Sequence, residues 1–249
     1  MLATGTNFNV SSATAIRRPI EIPPAGTVSL ENYRAKLANS LEDYLAQGAL
    51  RGFEAKEHVF NEGDPKEFVY TVVTGAVCLY RILSDGRRQV IDFAYPGDVV
   101  GLGAGSIETF NAQTTVATRV KCLAISSLRS AARRDPGVAM GLYEALSQQL
   151  MAMGNHLVCV GQQSATERLV IFLLTLARRN QEKGRDRETI ELRMTRNDIG
   201  DFLGVTIETV SRTFSKLKYL GLIEIDQGTK IRLMDIEQLE AMADGESPH

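Results

Sequence analysis

A charge excess of either sign is missing from this chain, with 28 Lys and Arg facing 30 Asp and Glu across 249 residues. Any nucleic-acid partner must be met by a local patch, and a histone-like coat is excluded. Cysteine is scarce as well. Cys78, Cys122 and Cys159 stand 44 and 37 residues apart with no C-x-x-C pair, which encodes neither a disulfide framework nor a zinc knuckle and suits a reducing cytoplasm. There are three histidines and neither H-E-x-x-H nor G-x-S-x-G, so metal and nucleophile chemistry have no foothold. Gly101-Leu102-Gly103-Ala104-Gly105-Ser106 is not a dinucleotide fingerprint and has no βαβ pattern around it. No enzyme, bound metal or cofactor is expected. Long apolar runs are absent too: the uncharged stretch from Ala145 to Thr166 carries Ser147, Gln148, Gln149, Asn155, His156, Gln162 and Gln163, a polar load that excludes a membrane span. Residues 1–28 contain Arg17 and Arg18 but no apolar core before a cleavage site, so they read as a flexible arm rather than a secretory signal.

What is present is organised. A 44% hydrophobic content with 23% charged residues supports one large core or two modest ones. After an expected helix over 29–48, glycines recur at Gly63, Gly75, Gly86 and Gly97, intervals of 12, 11 and 11 residues. Between them lie Phe68–Val73, Val77–Leu83 and Gln89–Ala94, rich in β-branched and aromatic residues, with a further expected pair at Thr114–Thr118 and Lys121–Ile125. Short strands at this spacing predict a jelly roll or small barrel over 29–136. From about Gly137 the period becomes helical. Leu146, Leu150, Met153, Leu157 and Val160, spaced 4, 3, 4 and 3, make an a/d seam over a helix at 137–163 that suits a second copy of itself. The alternative is one helix lying on the barrel.

The last unit, 164–249, opens with a helix whose apolar face is Leu169, Phe172, Leu173 and Leu176. A charged loop at 180–188 follows. Then come a helix over Thr195–Leu203, a turn at Gly204-Val205-Thr206, a helix over Ile207–Leu220, and an alternating hairpin around a glycine turn. A short helix, tight turn and second helix let the second helix enter the major groove. Ile207, Val210, Phe214 and Leu217 are expected on its buried face. Glu208, Ser211, Arg212 and Ser215 are left outside, and Arg, Glu and Ser suit guanine, cytosine and any base edge respectively. Thr206, Thr209, Thr213, Lys216 and Lys218 flank them as candidate phosphate contacts. Taken alone, Glu208 and Arg212 read better as a surface ion pair at i, i+4; taken with the turn, the cap, the two-faced helix and the hairpin, they read as DNA contacts.

The run from Asp198 to Arg212 resembles the helix-turn-helix of the CRP/FNR family of bacterial transcription regulators, in its FNR and FixK branches, whose signature is Glu-x-x-Ser-Arg. Pro96-Gly97-Asp98-Val99-Val100-Gly101 is similar to a turn in that family's N-terminal barrel. The resemblance implies an α+β chain: a cyclic-nucleotide-binding-like jelly roll, a long dimerisation helix and a C-terminal winged helix-turn-helix. It implies a homodimer on double-stranded DNA at TTGA-type inverted repeats, with Glu208, Ser211 and Arg212 reading the bases and RNA polymerase as partner. Asp85, Arg87 and Arg88 lie where the family presents a polymerase contact, and equally form an ordinary charged hairpin tip. Members that bind cyclic AMP carry a Gly-Glu and an Arg-Ser or Arg-Thr pair. Here Leu102 follows Gly101, and Asn111-Ala112-Gln113-Thr114-Thr115 has no arginine, so a phosphate would lack a cationic partner. Oxygen sensors of the FNR branch need four cysteines for an iron-sulfur cluster, and this chain has none before Cys78. These departures fit FixK-like, effector-independent activation of low-oxygen genes. The alternatives are a haem sensor using His58, His156, Cys78 or Cys159, another small-ligand sensor, and a helix-turn-helix adapted to bind protein.

Overall fold

The computed structural model describes residues 40–103 and 105–245; the expected arm at 1–28 and most of the expected helix at 29–48 lie outside them. A helical stretch at 40–45 precedes eight strands: β1 (Ala49–Phe53), β2 (His58–Phe60), β3 (Phe68–Thr74), β4 (Val77–Ile82), β5 (Arg88–Ala94), β6 (Val99–Val100), β7 (Asn111–Thr114) and β8 (Thr118–Ala124). They form two antiparallel four-stranded sheets, ordered β1-β8-β3-β6 and β2-β7-β4-β5. Strand alternation on β3 sends Tyr70 and Val72 into the space between the sheets with Phe53, Phe60, Val77, Val100, Ala112 and Val120. Val69 points the other way, onto Leu41, Leu45, Ile125 and Leu128. Gly75 joins β3 to β4 at φ 89°, and a Cβ there would sit 2.3 Å from the Thr118 hydroxyl. Only glycine fits that corner.

Two expected strands shift. The chain turns at 115–117, because Thr114 is buried, donating its hydroxyl to the Glu54 carbonyl and accepting from the Glu57 amide. A helix not expected from the sequence, α1 (Ile125–Arg134), follows β8 and buries Ile125, Leu128 and Ala131. Asp135 then caps α2 (Pro136–Gln162), accepting from the Gly137 amide at 2.7 Å. This helix of 27 residues buries only Gly137, Val138, Gly141 and Cys159.

Ser164 and Glu167 form a capping box on α3 (Ala165–Glu182), which extends into the segment expected to be loop. Leu169, Phe172, Leu173 and Leu176 are all buried on it. β9 (Thr189–Glu191), α4 (Arg196–Leu203), α5 (Ile207–Tyr219), β10 (Ile223–Asp226), β11 (Lys230–Leu233) and α6 (Ile236–Ala243) complete the chain. The hairpin pairs Ile223 with Leu233, and β9 adds to its β11 edge. The architecture is the expected α+β one: β jelly roll, long helix, winged helix-turn-helix. Among the described residues, no helix is long and apolar enough to cross a membrane.

The jelly roll and the C-terminal unit share a core. Phe93 of β5 packs against Phe172 and Phe202, ring centroids 6.2 and 5.4 Å away, and His156 of α2 stacks on Phe202 at 4.1 Å. Arg88 departs from the expectation that it lies on an exposed polymerase-binding tip. Its guanidinium reaches from β5 to Asp198 (2.5 Å) and Asp201 (3.3 Å) of α4, over the Tyr80 ring. Asp85 and Arg87 remain exposed at the β4–β5 turn, ion-paired at 2.7 Å.

Candidate nucleic-acid interface

Local chemistry explains each step of the helix-turn-helix. Thr195 and Asp198 form a capping box at the start of α4. Burial works to raise the Asp198 pKa, but hydrogen bonds from Arg88 and Thr195 outweigh it and hold the carboxyl below its ordinary range. The helix stops at Gly204, whose φ of 67° and ψ of 36° are left-handed. The Val205 amide then donates back to the Gly200 carbonyl at 3.0 Å. A Cβ on Gly200 would lie 2.8 Å from the Val205 carbonyl oxygen, so this glycine sets how tightly the turn closes. Thr206 caps α5 by accepting from the Thr209 amide.

On α5, Val210, Phe214 and Leu217 are buried as expected. Glu208, Ser211, Arg212, Ser215, Lys216 and Lys218 are exposed. Among the described residues Glu208 and Arg212 form no ion pair within 4 Å. The Glu208 carboxylate is held below its usual range by its own backbone N–H and the Thr206 hydroxyl, with a smaller contribution from the charge of Arg212. Arg212 is exposed on the same helix. Ile207 is 41% exposed rather than buried, because at the first position of the helix no preceding turn covers it. Thr213 does not suit the phosphate role expected of it. It is 7% exposed, with its hydroxyl donated to the Thr209 carbonyl at 2.8 Å.

Sequence reasoning missed Arg196. Its guanidinium lies over the Phe214 ring, 3.3 Å from the centroid, bracing α4 against α5, and burial lowers its pKa to about 10. Its place at the start of α4 was the available signal. Along α2, Leu146, Leu150, Met153 and Leu157 are exposed, continued by Tyr143, Met151 and Val158. Val160 instead is half-buried and faces the turn at Gly204.

Of the residues considered for haem, His156 and Cys159 line one cleft between α2, β5, α3 and α4. His58 shares a hydrogen bond with the Tyr80 hydroxyl at 2.9 Å, His156 lies against Phe202, and Cys78 lies 3.2 Å from Arg88. Burial pushes the Cys78 thiol up to about 12. In the barrel, Lys66 and Glu108 pair at 2.9 Å with both side chains 5% exposed, and Lys66 also donates to the Gly101 carbonyl. Among the described residues no group of three His, Cys, Asp or Glu could hold a metal ion.

Two family models match: a Crp-like helix-turn-helix domain over 167–242 and a cyclic nucleotide-binding domain over 50–131. The nitrogen fixation regulation protein FixK of Bradyrhizobium diazoefficiens is 36% identical over 206 residues, 83% of this chain and 86% of that protein. FixK of Rhizobium meliloti is 38% identical over 191 residues, 76% and 85% of the two chains. The solved structure of FixK2 from Bradyrhizobium japonicum superposes with a TM-score of 0.75 at 36% identity, covering 81% of this chain and 99% of that one. With a Crp-like helix-turn-helix behind a cyclic-nucleotide-binding-type jelly roll, and relatives of this identity along most of its length, the chain belongs to the CRP/FNR family of transcription regulators, in its FixK-like group.

Proposed function

We propose that this protein is a homodimeric transcription activator that reads TTGA-type inverted repeats without a bound effector and controls genes for life at low oxygen. The observation that carries the reading is the exposed face of α5: Glu208, Ser211 and Arg212 stand outward on a capped helix, and among the described residues Arg212 forms no ion pair within 4 Å. Arg212 binds guanine through two parallel hydrogen bonds, Glu208 accepts from a cytosine amino group, and Ser211 meets a neighbouring base edge. Thr206, Thr209, Lys216 and Lys218 contact phosphates, which fix register without sequence information.

Two copies meet along Leu146, Leu150, Met153 and Leu157, an apolar stripe too long to leave in water. Their recognition helices enter successive major grooves about one helical turn apart. Effector independence is supported by the filled space between the sheets and by Lys66, the buried cation nearest Gly101, which Glu108 already neutralises. The exposed pair Asp85 and Arg87 is the remaining candidate polymerase contact. Such a protein works in the cytoplasm and catalyses no reaction.

Fluorescence anisotropy tests this with the aerobic, ligand-free protein at fixed salt. One duplex carries the TTGA inverted repeat and the other has both guanines changed. Tight binding to the first alone is expected. Equal affinity for both, or binding to neither, overturns the proposal.

A further inference from the structure

The C-terminal unit is joined to the long helix through one short covalent link, the extended Gln163 and Ser164 between α2 and α3. A joint of that kind leaves the direction of the reading helix to noncovalent contacts. Some of these bear on α3 and the winged sheet: Arg179 pairs with Asp98 at 2.5 Å, and Arg193 donates to the Gly75 carbonyl at 3.0 Å. On α4 itself bear the rings of Phe93 and His156 against Phe202, Arg168 at the Leu203 carbonyl, and one ionic cluster. Arg88 Nη1 donates to Asp198 and Asp201, its Nη2 points at Cys78 Sγ, and the plane lies 4.3 Å over Tyr80. The neighbouring Gln89 donates from Nε2 to the Asp201 carbonyl at 2.8 Å. The Arg88 side chain is only 22% exposed. A guanidinium fixed by a ring, a thiol and two carboxylates holds direction as well as distance.

We propose that Arg88 is a positioning residue for DNA reading: from the barrel it fixes α4, and through the closed Gly200–Gly204 turn it sets where α5 stands in each half of the dimer. It touches no DNA. This rests on the reading of the protein as a dimeric DNA-binding regulator. Asp198 belongs at once to this clamp and to the capping box of α4, so the clamp grips the start of the helix-turn-helix directly. Positioning matters most for two half-sites read together, because a rotation of one unit changes the separation and direction of the two reading helices, so that both no longer seat in their grooves at once although each alone still does.

The test uses purified full-length protein and four duplexes: the inverted repeat at its best spacing, the same repeat lengthened or shortened by about two base pairs, and a single half-site. Wild-type protein is expected to discriminate steeply against altered spacing. Arg88→Ala is expected to bind the best repeat about tenfold or more weakly, to lose most of its spacing preference, and to keep its half-site affinity. Arg88→Lys retains one ion pair and restores part of the preference. Asp201→Asn leaves the α4 cap intact and weakens the clamp from its other side, so it decides the matter should Arg88→Ala not fold. An unchanged spacing preference in Arg88→Ala or, failing its folding, in Asp201→Asn overturns the proposal. So does an equal loss on all four duplexes. A wild-type protein indifferent to spacing ends the dimeric reading, and this proposal with it.

Discussion

Replacing Arg212 by Ala removes a side chain that the free protein uses only for a weak attraction to the exposed Glu208. It is exposed on α5 and has no acidic partner within 4 Å among the described residues, so folding stability should stay within about 0.5 kcal/mol of wild type. The whole effect then falls on DNA. A bidentate arginine–guanine contact contributes about 1–3 kcal/mol of discrimination, and a dimer makes it twice. The loss on a TTGA inverted repeat is therefore about 2–6 kcal/mol, from about thirtyfold to about twenty-thousandfold in affinity. The guanine-substituted duplex has already lost that contact, so Arg212→Ala should cost little more on it. Anisotropy titrations of both proteins on both duplexes at one salt concentration close the cycle. Losses of equal size on the two duplexes would refute base reading by Arg212 and reassign it to the backbone. A melting temperature lowered by many degrees would refute the premise that it is free.

Further predictions follow from packing and charge. Leu150→Asp lies at a position 72% exposed in the single chain, so the monomer should fold while light scattering shows the dimer lost; a dimer that survives contradicts the assigned seam. Gly200→Ala forces a Cβ to 2.8 Å from the Val205 carbonyl, which should cost about 1–3 kcal/mol in urea unfolding, and no loss would show that the turn can open freely. Asp92 is raised to about 6 by burial, so the native state binds its proton more tightly than the unfolded chain. The associated stability is full below the unfolded value and is lost as pH rises through about 6. Asp92→Asn should therefore gain on the order of 3 kcal/mol over wild type at pH 7.5 and nothing near pH 3; an equal difference at both would refute the assignment.

Local patterns carried much of the architecture. Glycines at the corners and β-branched runs between them marked β3, β4 and β5, and Thr206, Val210, Phe214 and Leu217 marked the cap and buried face of the recognition helix. What stayed hidden depends on contacts between distant residues or on elements too short to show a period. β2 has only three residues, and β1 buries only Phe53, so neither alternates legibly. α1 buries just Ile125, Leu128 and Ala131 directly after a strand. Arg88 looked like a hairpin-tip cation because its partners, Asp198 and Asp201, lie 110 and 113 positions away. Thr213 looked like a surface hydroxyl, yet it lies beside Val210 and Phe214 among the buried residues of α5, and its hydroxyl turns to the backbone. Periodicity also placed Ile207 inside, since it cannot register that the first turn of a helix has nothing packed above it.

Native mass spectrometry of the aerobic protein, with no ligand added, mixed with a TTGA inverted-repeat duplex tests the central claim most directly. The account predicts one complex containing two chains, one duplex and no additional mass, absent when both guanines are changed. A complex with a single chain, one that survives the guanine change, or one that forms only with an added ligand would contradict it.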